Sequence, residues 1–559
     1  MSINKIKTTG LIIIFYYILF NSNLKAQQTV GLFKDSTGNL DGYVLFAPFV
    51  YDSTYLIDKC GKLIHTWGST HNPGLSVYLL PDGTLLRIGA IVSPYFNAGG
   101  KGGIIELFDW DSNLLWSYRI SDSSKCLHHD ICMMPNGNIL VIAWEIRLAS
   151  EAINNGRIPS QVPDTLWSDK IMELHPIGND SATIVWQWRD WDHLIQDYDS
   201  TKLNYGVVSE YPELMNLNYN TSPIDPDWIH TNTVYYNTAK DQILMCAHNF
   251  SEIWIVDHST TTAQAASHEG GVSGKGGDIL YRWGNPASYN RGTNADQKFF
   301  TLHNAYWIPE GFKDSGKIIL FNNGLLRPAG AYSSIEIFEP PADSLGNYPI
   351  TNNQPYQPDT SYWIYTKPVH TDFYSADMGG VQRLSNGNTL ICNSDKGEFF
   401  EIDSMRNVIW DYICPVNASG RIIQNGFHGA NDVFRCTLYE ADYPGFIGHS
   451  LTPGNPIEIN PLNYTCDMLT NTSSIFESNF VISIYPNPAS NSLTLSIPIN
   501  LSKKATLLIT DVLGNMIYQK SINDSNEFTI NISLWSDGVY FYELKGNKEI
   551  KMGKFVVHK

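Results

Sequence analysis

The residues best equipped for chemistry fall in short phrases spread over three hundred positions. His128-His129-Asp130 opens one hairpin, and Asp227-Trp228-Ile229-His230-Thr231-Asn232 opens another. His303 follows Phe299-Phe300-Thr301-Leu302, Arg327 follows Phe321-Asn322-Asn323-Gly324, and His370 precedes a run that contains Asp377. Imidazole exchanges protons near neutrality and binds metals when neutral. Guanidinium offers a fixed positive charge with planar donors. Taken singly, each of these histidines also reads as a hydrogen-bonded core residue, and Arg327 as a loop cation. No H-x-x-x-H or H-E-x-x-H spacing places two histidines on one element, so the sequence gives no metal ligand set and no cofactor.

The elements that must position these groups are β-strands. Short apolar runs alternate between turn signals, and long helical periodicity is scarce. Leu80-Pro81-Asp82-Gly83-Thr84-Leu85-Leu86 recurs at 134–140 and at 384–390, each copy a hairpin whose Gly supplies a positive φ. A second hairpin phrase ends in Trp at Trp67, Trp116 and Trp410, with looser copies at Trp186, Trp283 and Trp363. Six Trp-marked strands predict an all-β fold, a six-bladed β-propeller with insertions between Trp186 and Trp283. The Trp residues read as blade packing, and the histidine phrases as strand ends facing a central channel. An array of β-sandwiches or an unclosed stack of sheets is the alternative.

The chain has 559 residues and a formal net charge of −18, with no cluster of basic residues, which argues against a nucleic-acid partner. Lys5 and Lys7, the ten apolar residues 11–20 and the small residue Ala26 have the layout of a secretory signal peptide. That run is too short to span a bilayer, which needs ~20 residues, and no later stretch is apolar enough. Export permits disulfides among the eight cysteines; Cys126 and Cys132 are close enough in sequence to pair, but spacing fixes no connectivity. Past 454 the rhythm is lost. The expected division is a signal peptide at 1–26, a propeller at 27–454, a linker at 455–477 and a small C-terminal β-sandwich at 478–559.

That last segment carries Tyr485-Pro486-Asn487-Pro488, the turn Asp511-Val512-Leu513-Gly514-Asn515, the strand Asp537-Gly538-Val539-Tyr540-Phe541-Tyr542, and a terminal run from Lys551 to Lys559. It resembles the C-terminal sorting domain of the type IX secretion system of Bacteroidetes. The resemblance implies passage through the outer membrane, the secretion machinery as a partner, and a cell-surface or extracellular location.

The phrases of residues 40–445 resemble the bacterial arylsulfotransferases. The matching text is D-W-x-H-x-N at 227–232, the run 243–259, Asp278–Pro286, His303, F-N-N-G-x-x-R at 321–327 and the run 380–391. The resemblance implies a six-bladed propeller that moves a sulfuryl group from an aryl sulfate to a phenol through a sulfated histidine. A nitrogen nucleophile splits the transfer into two steps, a proton donor serves the departing phenolate, and Arg holds sulfate oxygens. Phrase matching places His230 and His303 at two of the family's conserved histidine positions and Arg327 at its sulfate-binding arginine, with His129 an additional candidate. One departure stands out. Asp377 occupies the place where the nucleophilic histidine is expected, just before Gly380-Val381-Gln382-Arg383-Leu384. Either His370 or another histidine takes the role, or the fold is kept as a binding propeller for a glycan or surface polymer. A sulfate-ester hydrolase is a third reading.

Overall fold

The computed structural model describes residues 28–343, 346–426, 429–462, 466, 483–496, 505–511, 516–522, 527–545 and 550–559. The expected signal peptide, most of the expected linker and residues 512–515 of the tail's expected turn lie outside the described residues. The fold is all-β, in two compact units, Met1–Met468 and Leu469–Lys559.

In the first unit six antiparallel sheets follow one another. We label the strand of each that touches both neighbouring sheets: β1 (Pro73–Leu79), β2 (Lys125–Met133), β3 (Thr231–Asn237), β4 (Leu302–Trp307), β5 (Gly380–Arg383) and β6 (Val433–Tyr439). Three more strands succeed each inner strand outward. The β6 sheet draws its outer strands from the start of the chain, Tyr43–Pro48, Ser53–Asp58 and Leu63–Gly68. The β5 sheet gains a fifth strand, Gly31–Asp35, paired with Val408–Ile413. Both ends of the unit are therefore fastened into sheets made elsewhere in the chain.

Hydrogen bonds link the inner strands in cyclic order. Asp130 of β2 accepts from Ser76 of β1 at 2.7 Å and from the Val234 amide of β3 at 3.3 Å. Thr233 of β3 accepts from the Asn304 amide of β4, and Asn304 accepts from the Val381 amide of β5. Gln382 of β5 exchanges two bonds with Leu438 of β6, and the Tyr439 hydroxyl of β6 accepts from the Leu79 amide of β1.

The tryptophans predicted to mark the repeat lie on the outermost strands of the antiparallel four, and they fasten each sheet to the next. Trp67 donates to the Asp109 carbonyl, Trp116 to that of Ser181, Trp186 to the Thr260 hydroxyl and Trp283 to the Pro358 carbonyl. Trp410 closes the series on the Lys59 carbonyl. Trp363 instead lies under the Arg406 guanidinium, 5.5 Å away in the following sheet's turn.

The repeated phrases fold as three-residue turns. Leu80, Met134 and Leu384 each receive a bond from the Gly amide three residues on, and those glycines have φ of 83–86°. The middle strands differ from the expected alternation. Gln242–Ala247 and Glu252–Asp257 are buried at every position, because each sheet is covered on both faces by its neighbours.

Cys126 and Cys132 are free thiols, contrary to the pairing considered from their spacing. They oppose Trp144 and Leu140 at different points along one strand, too far apart to bond. The disulfide joins Cys60 to Cys466 across 406 residues. Residues 455–459, within the expected linker, belong to the first unit, where the Leu63 and Gln424 amides donate to the Asn455 and Ile459 carbonyls.

The second unit has seven described strands in two sheets, Ser483–Tyr485, Ser492–Ser496 and Glu527–Asn531 in one, and Met516–Ile522, Ala505–Thr510, Gly538–Lys545 and Ile550–Val557 in the other. Here burial alternates, as along Ala505–Thr510, and Leu493, Leu507, Ile509, Leu544 and Phe555 form its core.

Candidate active site

Five of the six inner strands carry a register shift near the ring of hydrogen bonds. In β2 the residues 128–130 face Ile142 alone, in β3 232–233 face Cys246, in β4 304–305 face Leu320, and in β6 434–435 face Ala47. In β1 the residues 74–76 face Ile88. Bulges re-aim side chains that a regular strand would send to opposite faces. The consecutive His128 and His129 therefore pack together, ring centroids 4.2 Å apart.

Four imidazoles form a closed circuit. His129 to His230 is 5.8 Å, His230 to His248 5.1 Å, His248 to His303 5.2 Å and His303 to His129 6.4 Å between ring centroids. His128 stands behind His129 and His230, against Trp144. His230 has a positive φ of 56°, at the entry to β3, a conformation sparsely populated by non-glycine residues and one that clusters at functional sites.

Three members of the circuit have one nitrogen fixed by a side-chain oxygen. His230 Nδ1 bonds Asp227 at 2.5 Å, His248 Nδ1 bonds Asn249 at 2.8 Å and His303 Nδ1 bonds Asn323 at 2.8 Å. An amide oxygen can only accept, so His248 and His303 carry their proton on Nδ1 and leave Nε2 with a free lone pair. Asn323 is itself held, donating to the Ser375 and Met378 carbonyls.

Burial makes most of the circuit neutral. Desolvation, with the charge of neighbouring imidazoles, holds His129 and His303 well below the usual histidine range and His248 at about 4. His230 moves the other way. Burial opposes its protonation, but the charge and hydrogen bond of Asp227, with Asp169 and Asp377, outweigh burial and raise it. One imidazole with raised proton affinity thus stands among neutral ones.

Of the residues expected from sequence, His129, His230 and His303 converge. Asp377 is exposed yet close enough for its charge to act on His230. Arg327 lies on the loop between the strands Ile318–Asn322 and Ser334–Phe338. It donates to Ser334 at 3.0 Å and stacks on Tyr332 at 4.3 Å. Leu302, Asn322 and Ser334 are paired in succession, which puts Ser334 two strand spacings, about 10 Å, from β4. His370 is exposed and stacks on the other side of this loop, 4.1 Å from Tyr332.

Sequence reasoning missed His248, which lies inside a quoted phrase, and the anchors Asn249 and Asn323. It also missed Arg435, half-buried in β6, where it binds Asp130 at 3.0 Å and the Thr233 hydroxyl at 3.1 Å. An arginine inside an otherwise apolar strand was the available signal for it.

A family profile for arylsulfotransferase (ASST) matches residues 26–423, and one for the secretion system C-terminal sorting domain matches residues 483–558. That sorting domain directs the protein to the cell surface or the extracellular space. Among the described residues no helix is long and apolar enough to cross a membrane. No curated protein matches the chain. A protein of unknown function from Bacteroides caccae is similar in structure at 11% identity, with 67% of this chain and 94% of that one covered and a TM-score of 0.36. Virginiamycin B lyase from Staphylococcus aureus is 9% identical, with coverage of 70% and 90% and a TM-score of 0.31. A DUF3244-family protein with an immunoglobulin-like β-sandwich fold from Bacteroides vulgatus is 25% identical over 13% of this chain and 82% of that one, at a TM-score of 0.12.

Proposed function

Since the chain belongs to the arylsulfotransferase family, we propose that it moves a sulfuryl group from an aryl sulfate to a phenolic acceptor at the histidine circuit, on a propeller of six blades. Export begins with the signal peptide at 1–26, and the linker at 455–477 joins the propeller, 27–454, to the sorting domain at 478–559, which engages the secretion machinery. The observation that carries the catalytic reading is the contrast between two anchored imidazoles. His303 is neutral with a free Nε2, and His230, bonded to Asp227, binds its proton more tightly than an ordinary imidazole.

In the first step His303 Nε2 attacks sulfur and the sulfur–oxygen bond to the aryl group breaks. The phenolate leaves with the proton from His230 Nε2, while His303 keeps its Nδ1 proton on Asn323. In the second step the acceptor phenol gives its proton to His230 as its oxygen attacks sulfur, and the sulfur–nitrogen bond breaks. Both steps use positioned acid–base and nucleophilic groups. A buried, dry site strengthens such electrostatic interactions. Arg327 acts at the rim, where its guanidinium draws the sulfate inward. His129 lines the opposite side, and His370, stacked on Tyr332, takes no part in the transfer.

A second reading, a binding propeller without transfer, is favoured by Asp377, a carboxylate at the position aligned with the family nucleophile. Purified protein assayed with 4-nitrophenyl sulfate and phenol separates the two. The proposal expects nitrophenolate release that depends on phenol and falls at least ~100-fold in His303→Ala and in His230→Ala. Binding of the sulfate without turnover would favour the second reading.

A further inference from the structure

We propose that His128, His129 and His230 form a binding site for a divalent transition-metal ion of the zinc class. One ring nitrogen from each lies within 4.8 Å of the other two. The three are supplied by two separate elements, the bulge of β2 and the residue leading into β3.

Three features make this a ligand set rather than a chance grouping. His128 is fully buried and both of its ring nitrogens lack a hydrogen bond; His129 is 1% exposed and its Nδ1 also lacks one. Buried polar atoms of native proteins are almost always paired, and leaving one unpaired is costly. Next, His230 gives its Nδ1 to Asp227, and a carboxylate bonded to the far nitrogen in this way orients a metal-binding imidazole and leaves Nε2 for the ion. Last, the backbone makes room. A Cβ on Gly100 would stand 2.4 Å from His129 Nδ1, so only glycine lets the chain pass over the pair. Trp144 and Phe434 close the apolar shell, 4.0 Å from His128 and 5.0 Å from His129 between centroids.

The donor set names the class of ion. Three imidazoles, His230 yielding its Nε2 proton to the ion, with no thiolate or directly facing carboxylate in the set, suit zinc, copper, nickel or cobalt over magnesium or calcium. Three histidines with a fourth position open is a known zinc arrangement. Zn–N bonds of ~2.0–2.1 Å set ligand nitrogens about 3.3 Å apart, so the widest pair must close by up to about 1.5 Å. The nitrogens of His128 have no hydrogen bond to break as they turn. An ion there would also hold His230, the acid of the transfer proposed above, so occupancy and transfer would be coupled.

The other histidine pair near a carboxylate is already satisfied. His193 bonds Asp278 and the Ala265 carbonyl, and His268 bonds the same Asp278 oxygen. It supplies the control.

The test uses the full secreted chain, stripped with a chelator and titrated with zinc chloride by equilibrium dialysis, without any aryl sulfate present. The expected result is one ion per chain at micromolar or tighter affinity. X-ray absorption should show nitrogen neighbours at ~2.0–2.1 Å and no sulfur. His128→Gln should weaken binding at least tenfold, and His268→Gln should leave it unchanged. No stoichiometric binding, sulfur or purely oxygen ligation, or full affinity in folded His128→Gln would overturn the proposal. The absorption spectrum of the unaltered protein decides the matter should His128→Gln fail to fold. Because no sulfate ester is present, failure of the transfer mechanism leaves this result standing.

Discussion

Asn323→Leu isolates the orientation of His303. Leucine approximates the shape of asparagine, and residue 323 is fully buried, so packing changes little. Three bonds are lost: the acceptor for His303 Nδ1 at 2.8 Å and the donors to Ser375 at 2.9 Å and Met378 at 2.5 Å. As His303 attacks sulfur its ring gains positive charge, and the bond to Asn323 changes from neutral to charge-assisted. Neutral bonds contribute ~0.5–1.5 kcal/mol and bonds to charged groups ~1.5–3, so the transition state loses roughly 1–2 kcal/mol more than the ground state. At 1.36 kcal/mol per decade this is about a 5- to 30-fold fall in kcat, with KM little changed. The stranded Met378 carbonyl and His303 Nδ1–H add a stability cost of roughly 2–4 kcal/mol, the Ser375 carbonyl keeping the Ser333 hydroxyl at 3.4 Å. Initial rates of nitrophenolate release on the folded variant, with a thermal melt alongside, measure both quantities. Unchanged kcat refutes the role given to His303. A rise in KM alone would mean that Asn323 serves the loop 375–378 and not the imidazole.

Three further outcomes are expected. His258 bridges two sheets, to Glu173 at 3.1 Å and Asp241 at 2.7 Å. Burial opposes charge on both His258 and Glu173, but their hydrogen bonds prevail, lowering Glu173 to about 2 and raising His258. Glu173 contributes above about pH 4.5 and its contribution is lost as pH falls toward 2; His258 contributes below about pH 6.5 and its contribution is lost as pH rises through its raised value. The melting difference between the wild type and His258→Gln should therefore be larger at about pH 5.5 than at pH 9.5, by roughly 1.5–3 kcal/mol, and an equal difference at both would be contrary to this sign. Ser112 and Gly61 hold the same turn position at φ of 65° and 72°. Ser112→Gly should gain about 0.5–1 kcal/mol, whereas Gly61→Ala, whose Cβ would meet Tyr412 at 2.7 Å, should lose about 1–3 kcal/mol; denaturant midpoints that move together would contradict the assignment. Asp377→Asn removes an exposed negative charge near His230 and should lower KM for an anionic aryl sulfate by up to about fivefold at low salt, ~1 kcal/mol, whereas a higher KM would show that the carboxylate assists binding.

The fold was largely legible because its repeat is written in residues with local duties. Outer-strand tryptophans such as Trp186 recur once per sheet and turn glycines such as Gly137 in three of the six, each in a role that its own type dictates. The two-sided burial of strands such as Gln242–Ala247 was not read, since a short apolar run looks the same whether one face is covered or both. The site was half legible. His230 and His303 stand in distinctive phrases, but their meeting with His129 and His248 depends on bulges that shift register by one or two residues. Strict alternation sends His128 and His129 to opposite faces, and nothing local announces the bulge that brings them together. Arg327 shows the converse. Its phrase matches the family, yet its guanidinium is seated on Ser334, Tyr332 and Phe300.

The central claim is that a neutral His303 carries the sulfuryl group between donor and acceptor. Rapid mixing of the protein with an aryl sulfate in the absence of any phenol, followed by digestion under mildly alkaline conditions and mass spectrometry, measures this directly. The account predicts a burst of released phenol equal to the protein present and a sulfate adduct on the peptide containing His303, discharged when phenol is added. An adduct on His129, His248 or His370 instead, or turnover with no burst and no adduct, would contradict it.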